Sequence, residues 1–339
     1  MYNKHTKTDL IQMQSLPLTA KIIMTKNRIR AWYEHWDGDV YVAFSGGKDS
    51  TVLKHIVDSM YDDVPSVFSD TGLEYPEIRR FAMAQKNVVV VKPGSTFKEV
   101  LIKKGYPVVS KEVAQKISYV RNNPNACAAQ RFDENSERNL KYPQYAMTKW
   151  KYLIDSPFSI SEQCCNEMKK KPSKRYEKQT GRKRIVGTMA EESRLRTTNW
   201  LKNGCNGFDM KTPVSAPLSF WTEQDVLEYI KKYNVPYCKE IYGDIIEDLD
   251  DQANGQTYID GVIRPKLKTT GANRTGCIFC MFGCHLEKEP NRFQRLKQTH
   301  PNQYKYCIGG GEYVDGKWQP NNQGLGLGFV LDYIGVDYR

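Results

Sequence analysis

Residues 45–50 read Ser-Gly-Gly-Lys-Asp-Ser, and those residue types in that order can hold an anion. The glycines let a ligand approach the backbone closely. Free N–H groups at the start of a following helix add a partial positive charge. Ser45 and Ser50 supply hydroxyl donors and Lys48 can offset charge on phosphate oxygens, so Lys48 and Asp49 are the candidate catalytic residues. The segment is not a Walker A loop, which needs four residues between its first glycine and the Gly-Lys pair, with Ser or Thr where Asp49 stands.

The second chemical group is made of thiols. Cys277 and Cys280 form a C-x-x-C, and Cys164-Cys165 is an adjacent pair about 112 residues earlier. Closely spaced thiolates can share one metal or cluster, and a distant pair completes the set when the fold brings it near. Cys284 and Cys307 are further candidates, and six thiols exceed the four one cluster needs. The preferred ligands are Cys165, Cys277, Cys280 and Cys307, with Cys164 as the substitute; structural zinc is the alternative to a 4Fe–4S cluster. His285 follows the segment as a polar neighbour. Cys127, Cys205 and Cys238 stand alone and read as small packing residues.

The elements needed to position these groups follow from hydrophobic patterning. Helical spacing of apolar residues over 18–36 predicts an amphipathic lead-in helix. Asp37-Gly38-Asp39 is turn chemistry, and the apolar run 40–44 reads as a buried parallel strand. After the 45–50 loop, helices are expected at 51–60, 76–85 and 96–103, with strands at 64–69 and 88–91. Residues 106–160 read as mostly helical with polar interruptions, and 184–188 as another buried strand. Thr222 with Asp225 three residues later approximates a capping box for a helix reaching Tyr233. Residues 248–264 read as a polar hairpin or loop, and Pro290 and Pro301 each as the opening of a short helix. Alternating strands and helices imply an α/β fold with a doubly wound parallel sheet. The expected division is a helical lead-in at 1–37, a nucleotide-binding domain at 38–240 and a cysteine-bearing segment at 241–339.

On these motifs the chain resembles the phosphoadenylyl-sulfate (PAPS) reductase family of the adenine nucleotide alpha-hydrolase superfamily, which also holds ATP pyrophosphatases. Residues 45–50 resemble its PP-loop. The segment Asp70-Thr71-Gly72-Leu73-Glu74-Tyr75-Pro76-Glu77 is similar to the reductase branch's Asp-Thr-Gly stretch. Pro217-Leu218, Trp221-Thr222, Asp225-Val226 and Pro236-Tyr237 are similar to later family motifs, in the same order. The resemblance covers about residues 38–310. It implies nucleotide contacts from Ser45, Gly46, Gly47, Lys48, Asp49, Ser50, Asp70 and Gly72. The segment 187–194 resembles the family's second nucleotide loop, which implies contacts from Gly187, Arg194 and Arg196; Met189 replaces that loop's first arginine. A Cys-Cys pair with a later C-x-x-C is similar to the cluster cysteines of 4Fe–4S adenylyl-sulfate (APS) reductases and of Dnd-type DNA phosphorothioation enzymes.

Three readings follow. In one, ATP binds at the loop with Mg²⁺, an acceptor oxygen attacks the α-phosphate, pyrophosphate leaves, and sulfur then displaces AMP. In the second, APS or PAPS binds and a cysteine attacks its sulfur; the family's C-terminal Cys-Gly-x-His segment has no counterpart in 325–339. The third is a regulatory protein that binds nucleotide without turnover. A sulfur- or electron-donor protein is an implied partner.

Composition sets the outer bounds. The 339 residues carry 50 Lys/Arg against 39 Asp/Glu, a net charge of +11 that suits an anionic partner. Residues 166–205 hold twelve Lys/Arg against four Asp/Glu, and the stretch from Lys169 to Arg184 is a candidate nucleic-acid surface, with Trp200 and Phe208 as stacking platforms. No apolar run reaches the ~18–20 residues a membrane span needs, so no membrane partner is expected. An odd count of nine cysteines without an export signal points to a reducing, cytoplasmic setting.

Overall fold

The structure, a computed structural model, describes residues 3–248 and 266–339, so residues 249–264 of the expected polar hairpin lie outside the described residues. The chain forms two compact units that interleave along the sequence. The first takes α1 (Lys7–Gln14), α2 (Leu18–His35), β1 (Val40–Phe44), α3 (Lys48–Asp58), β2 (Ser66–Ser69), α4 (Pro76–Met83) and β3 (Val88–Val91). The second takes α5 (Phe97–Lys104), α6 (Lys111–Asn122) and α7 (Glu137–Lys141), with 3₁₀ turns between and after them. The first then resumes with α8 (Lys171–Thr180), β4 (Lys183–Val186), α9 (Arg194–Asn203), β5 (Asn206–Gly207), β6 (Val214–Ser215), α10 (Glu223–Tyr233), α11 (Lys239–Tyr242), β7 (Ile245–Glu247) and β8 (Leu267–Thr269). The second closes with α12 (Arg292–Thr299), α13 (Pro301–Ile308), β9 (Glu312–Val314), β10 (Lys317–Gln319) and α14 (Leu327–Tyr333).

The first unit is built on a six-stranded sheet of order β3-β2-β1-β4-β6-β5. All neighbours run parallel except β5 with β6. From β1 the chain steps outward through β2 to β3, then returns to place β4 on β1's other side. The carboxyl end of β1 is therefore a topological switch point, where open α/β sheets hold ligands. Val40 and Val42 of β1 are wholly buried with Ile29 and Trp32 of α2, Val52, Leu53 and Ile56 of α3, and Val226 and Ile230 of α10. The doubly wound parallel α/β class expected from the sequence is present.

Details depart from the sequence reading for local reasons. Helix α3 starts at Lys48 rather than 51, because Gly47 takes the extended N-cap conformation and the loop's last three residues already wind into the first turn. Helix α1 was not expected; Thr6 and Asp9 close a reciprocal capping box that starts it. Pro290 does not open a helix, since Asn291 caps α12 and its side chain accepts from the amides of Phe293 and Gln294. The compact units also differ from the linear division expected near residues 37 and 240. Helix α2 packs into the sheet's own core, and residues 93–171 group with 276–339.

Candidate functional site

The loop from Ser45 to Ser50 leaves β1 and enters α3 within the first unit. Gly46 has φ +74°, and a Cβ there would sit 2.9 Å from Ile78 Cγ2, so only glycine fits. The Gly47 amide donates to Ser45 Oγ over 3.4 Å, and the Ser45 and Ser50 hydroxyls meet at 3.0 Å. Ser50 Oγ and Thr51 Oγ1 both donate to the Gly47 carbonyl at 2.9 Å, which fixes the turn. Gly187, following β4, presses on this turn: a Cβ there would lie 2.9 Å from the Asp49 carbonyl oxygen.

Charges around the loop are dense. Lys48 is buried, its Nζ is 3.0 Å from Glu223 Oε1, and it stands 5.2 Å above the Tyr242 ring. Burial lifts the Asp49 carboxyl to about 6; the Glu192 carboxylate adds to the rise, against Arg274 and Lys48. Glu192 itself pairs with Arg196 and, at 3.3 Å, with Arg274. Tyr242 shares a 2.7 Å hydrogen bond with Thr275 Oγ1.

The other expected contacts are placed as follows. Asp70, at the end of β2, is gripped by Arg79 through two 2.8 Å bonds. Gly72 belongs to the second unit and has φ +72°. Arg194 is exposed at the first position of α9. Met189, where the family loop has an arginine, is 1% exposed and packs in the apolar core.

The thiols lie in the second unit. Cys164 and Cys165 have their sulfurs 4.0 Å apart. Its bond to Cys165 and burial push the Cys164 thiol far up, and the Cys280 and Cys277 sulfurs add to the push. Cys165 is held below the usual thiol range by its bond from Cys164, with Lys111 and Lys169 also favouring its thiolate. Cys280 closes a turn onto the Cys277 carbonyl at 3.1 Å, and the Cys280 carbonyl accepts from Arg292 at 2.9 Å. Cys284 donates to the Met281 carbonyl at 3.0 Å, and burial lifts its thiol to about 12. Cys307 sits apart in α13, fully buried, its thiol raised by burial alone. Cys164 and Cys165 are thus in sulfur contact, the Cys277 and Cys280 sulfurs act on Cys164 electrostatically, and Cys307 responds to burial alone. Among the described residues, no group of three or more Cys, His, Asp or Glu side chains is placed to hold a metal ion.

The family model for the phosphoadenosine phosphosulfate reductase domain matches residues 39–120 and 109–247, a span that includes the 45–50 loop, Asp70, Gly187 and the Thr222 cap. The chain belongs to the PAPS reductase family. An uncharacterized protein of Methanocaldococcus jannaschii is 36% identical over 86 residues, which is 23% of this chain. The chain spans 21% of that relative's length in the match. A solved structure of phosphoadenylyl-sulfate reductase from Candida auris, in a phosphate complex, is similar at 15% identity and a TM-score of 0.37. That match covers 71% of this chain and 93% of that one.

For a PAPS reductase family member, four site residues escaped the sequence reading: Glu223, Tyr242, Arg274 and Thr275. Glu223 and Tyr242 lie beside recognised motifs, but nothing in their spacing marks them as loop partners. Arg274 and Thr275 reach the loop because the backbone after β8 is tied to α11, with Gly271 N–H donating to Tyr242 O and Ala272 N–H to Ile241 O, each at 2.9 Å. The stacking role expected of Trp200 and Phe208 does not stand. Trp200 is 3% exposed and lies against His5, and Phe208 stacks on Trp32 in the core. Several cations of the basic stretch serve the fold: Arg175 donates to the Lys92 carbonyl and Arg182 to the Val40 carbonyl.

Proposed function

We propose that this family member is an adenine-nucleotide-binding enzyme of sulfur chemistry that adenylates an acceptor with ATP, releases pyrophosphate and then transfers sulfur. The observation that carries the choice is in the 45–50 loop, where a buried ammonium, Lys48, stands beside a carboxyl, Asp49, raised to about 6. An ammonium to neutralise phosphoryl charge and a carboxyl able to take a proton are what adenylation of an acceptor asks for.

In the proposed reaction the acceptor oxygen attacks the α-phosphorus of ATP, the bond to the β-phosphate oxygen breaks, and pyrophosphate leaves. Lys48 and the loop amides neutralise charge that grows on the phosphoryl oxygens, and the Mg²⁺ that arrives with ATP is part of the substrate. Asp49, with its carboxyl near 6, takes the acceptor's proton. A hydrosulfide released by a donor protein then attacks the activated carbon with its own electron pair, the carbon–oxygen bond breaks, AMP leaves with that oxygen, and the sulfur's proton passes to solvent. Nucleic acid is the proposed acceptor class, met by the cations between Lys169 and Arg184 that project from α8.

An adjacent thiol pair with a later C-x-x-C is donor chemistry suited to a 4Fe–4S cluster, which Cys164, Cys165, Cys277 and Cys280 would hold, with Lys111 and Lys169 favouring the Cys165 thiolate. Such a cluster would supply electrons or an iron position for sulfur. Structural zinc would take the same four ligands.

Anaerobically purified protein should be assayed for pyrophosphate from ATP, with and without nucleic acid, and in parallel for sulfite from APS and PAPS. Pyrophosphate release that rises with nucleic acid is expected. Sulfite would replace this reading with sulfonucleotide reduction, and silence in both assays would leave a regulatory nucleotide-binding protein.

A further inference from the structure

The phosphate loop's one ammonium is already engaged by the chain itself: Lys48 Nζ lies 3.0 Å from Glu223 Oε1. A carboxylate therefore stands where an oxygen of a phosphate would make the same contact. From this geometry we propose that Glu223 is a resident counter-anion. It holds Lys48 in the empty loop and gives it up to the nucleotide's phosphate, so that Glu223 sets which anions the loop accepts. The proposal rests on the reading of residues 45–50 as the nucleotide's phosphate site.

The local build suits an exchange. Glu223 is the first residue of α10, whose Thr222 cap and Asp225 close a reciprocal box, and its own amide donates to Glu191 Oε1 at 2.7 Å. The backbone is thus pinned while the side chain, 27% exposed, is free to swing. A carboxylate released from Lys48 remains at a helix N-terminus, where the unsatisfied amides favour negative charge. Lys48 is 4% exposed, so an empty loop without Glu223 would leave an ammonium buried and unpaired. Asp49 and Glu191 stand near Glu223 and raise its electrostatic cost, which makes it a replaceable partner.

The consequence is selectivity. A monoanion offers Lys48 no more charge than Glu223 does, whereas a pyrophosphate group offers several. The loop should bind polyphosphates and discriminate against singly charged anions.

Calorimetric titration with inorganic pyrophosphate, and separately with ATP, tests this. E223Q keeps the shape and removes the charge, and is expected to bind pyrophosphate about ten-fold more tightly than wild type. Any carboxylate near an anion site weakens binding through its field, so the deciding comparison is in the Lys48→Ala background. There the counter-anion role predicts that E223Q brings only the small gain of a removed field, well below that seen with Lys48 present. A gain of equal size with and without Lys48 overturns the proposal, as does unchanged or weaker binding by E223Q alone. If E223Q fails to fold, Glu223→Asp withdraws the carboxylate by one methylene and should show a smaller gain, again reduced without Lys48. Lys48→Ala separates the two levels of argument. If it binds pyrophosphate like wild type, the phosphate-site reading itself fails. If it loses binding while E223Q gives no gain, only the counter-anion proposal fails.

Discussion

At the scale of single residues, Lys48 and Asp49 carry the site in opposite ways. Lys48→Ala removes the loop's one buried ammonium and is expected to weaken nucleotide binding at least ~50-fold, in line with ~2–3 kcal/mol for a hydrogen bond to a charged group. Equilibrium titration of the folded variant checks this. Asp49 is a carboxyl raised to about 6 by burial and by Glu192. Its folded value lies above its ordinary one, so the relative stability of the neutral form is complete below pH ~4 and is lost as pH rises through about 6. Asp49→Asn is therefore expected to be more stable than wild type above pH 6, by about 1–2 kcal/mol after screening, and to match it near pH 4. Urea unfolding at both pH values measures it. The same variant should lose the acid limb of the activity profile, which in wild type falls with a midpoint near 6. The loop was legible because its six residues are contiguous between a strand and a helix. Glu223, Tyr242 and Thr275 were not, because single residues contributed from distant segments leave no spacing to read.

At the scale of elements, legibility followed local chemistry. The start of α10 was visible in Thr222 and Asp225, and the box is present with Asp225 also gripped by Lys21 at 2.6 Å. The pairing of β1 with β4 could not be read, since two short apolar runs about 140 residues apart carry no mark of their partner. Residues 106–160 were opaque for a different reason. Much of the stretch after α6 is 3₁₀ turn, with no single period, and one side chain satisfies its backbone: Arg121 donates to the carbonyls of Leu153, Ile154, Ser156 and Phe158 at 2.7–3.0 Å. Arg121→Ala removes a donor from four carbonyls, of which Leu153 keeps the Ser156 amide and Phe158 the Ser156 hydroxyl, and is expected to destabilise the second unit by about 2 kcal/mol. Thermal unfolding should show that loss, with nucleotide binding in the first unit retained.

At the scale of the whole molecule, the sequence showed the class of fold but not its partition. A chain that leaves one unit and returns to it hides the division, since composition shifts mark ends and linkers rather than interleaving. The same interleaving places Cys164, Cys165, Cys277, Cys280 and Cys307 in one unit, where Cys307 is fully buried within α13. Iron per chain after anaerobic purification should therefore fall sharply in Cys164→Ser, Cys277→Ser and Cys280→Ser and persist in Cys307→Ser; loss of iron only in the last would reverse the assignment. All of this presupposes that residues 45–50 receive the nucleotide's anionic end. A crystal structure with a bound, non-hydrolysable ATP analogue measures that directly. Phosphate density is expected on the Gly47 and Lys48 amides, with Lys48 Nζ moved from Glu223 onto a phosphate oxygen. Phosphates seated elsewhere, with the Lys48–Glu223 pair intact, would contradict it.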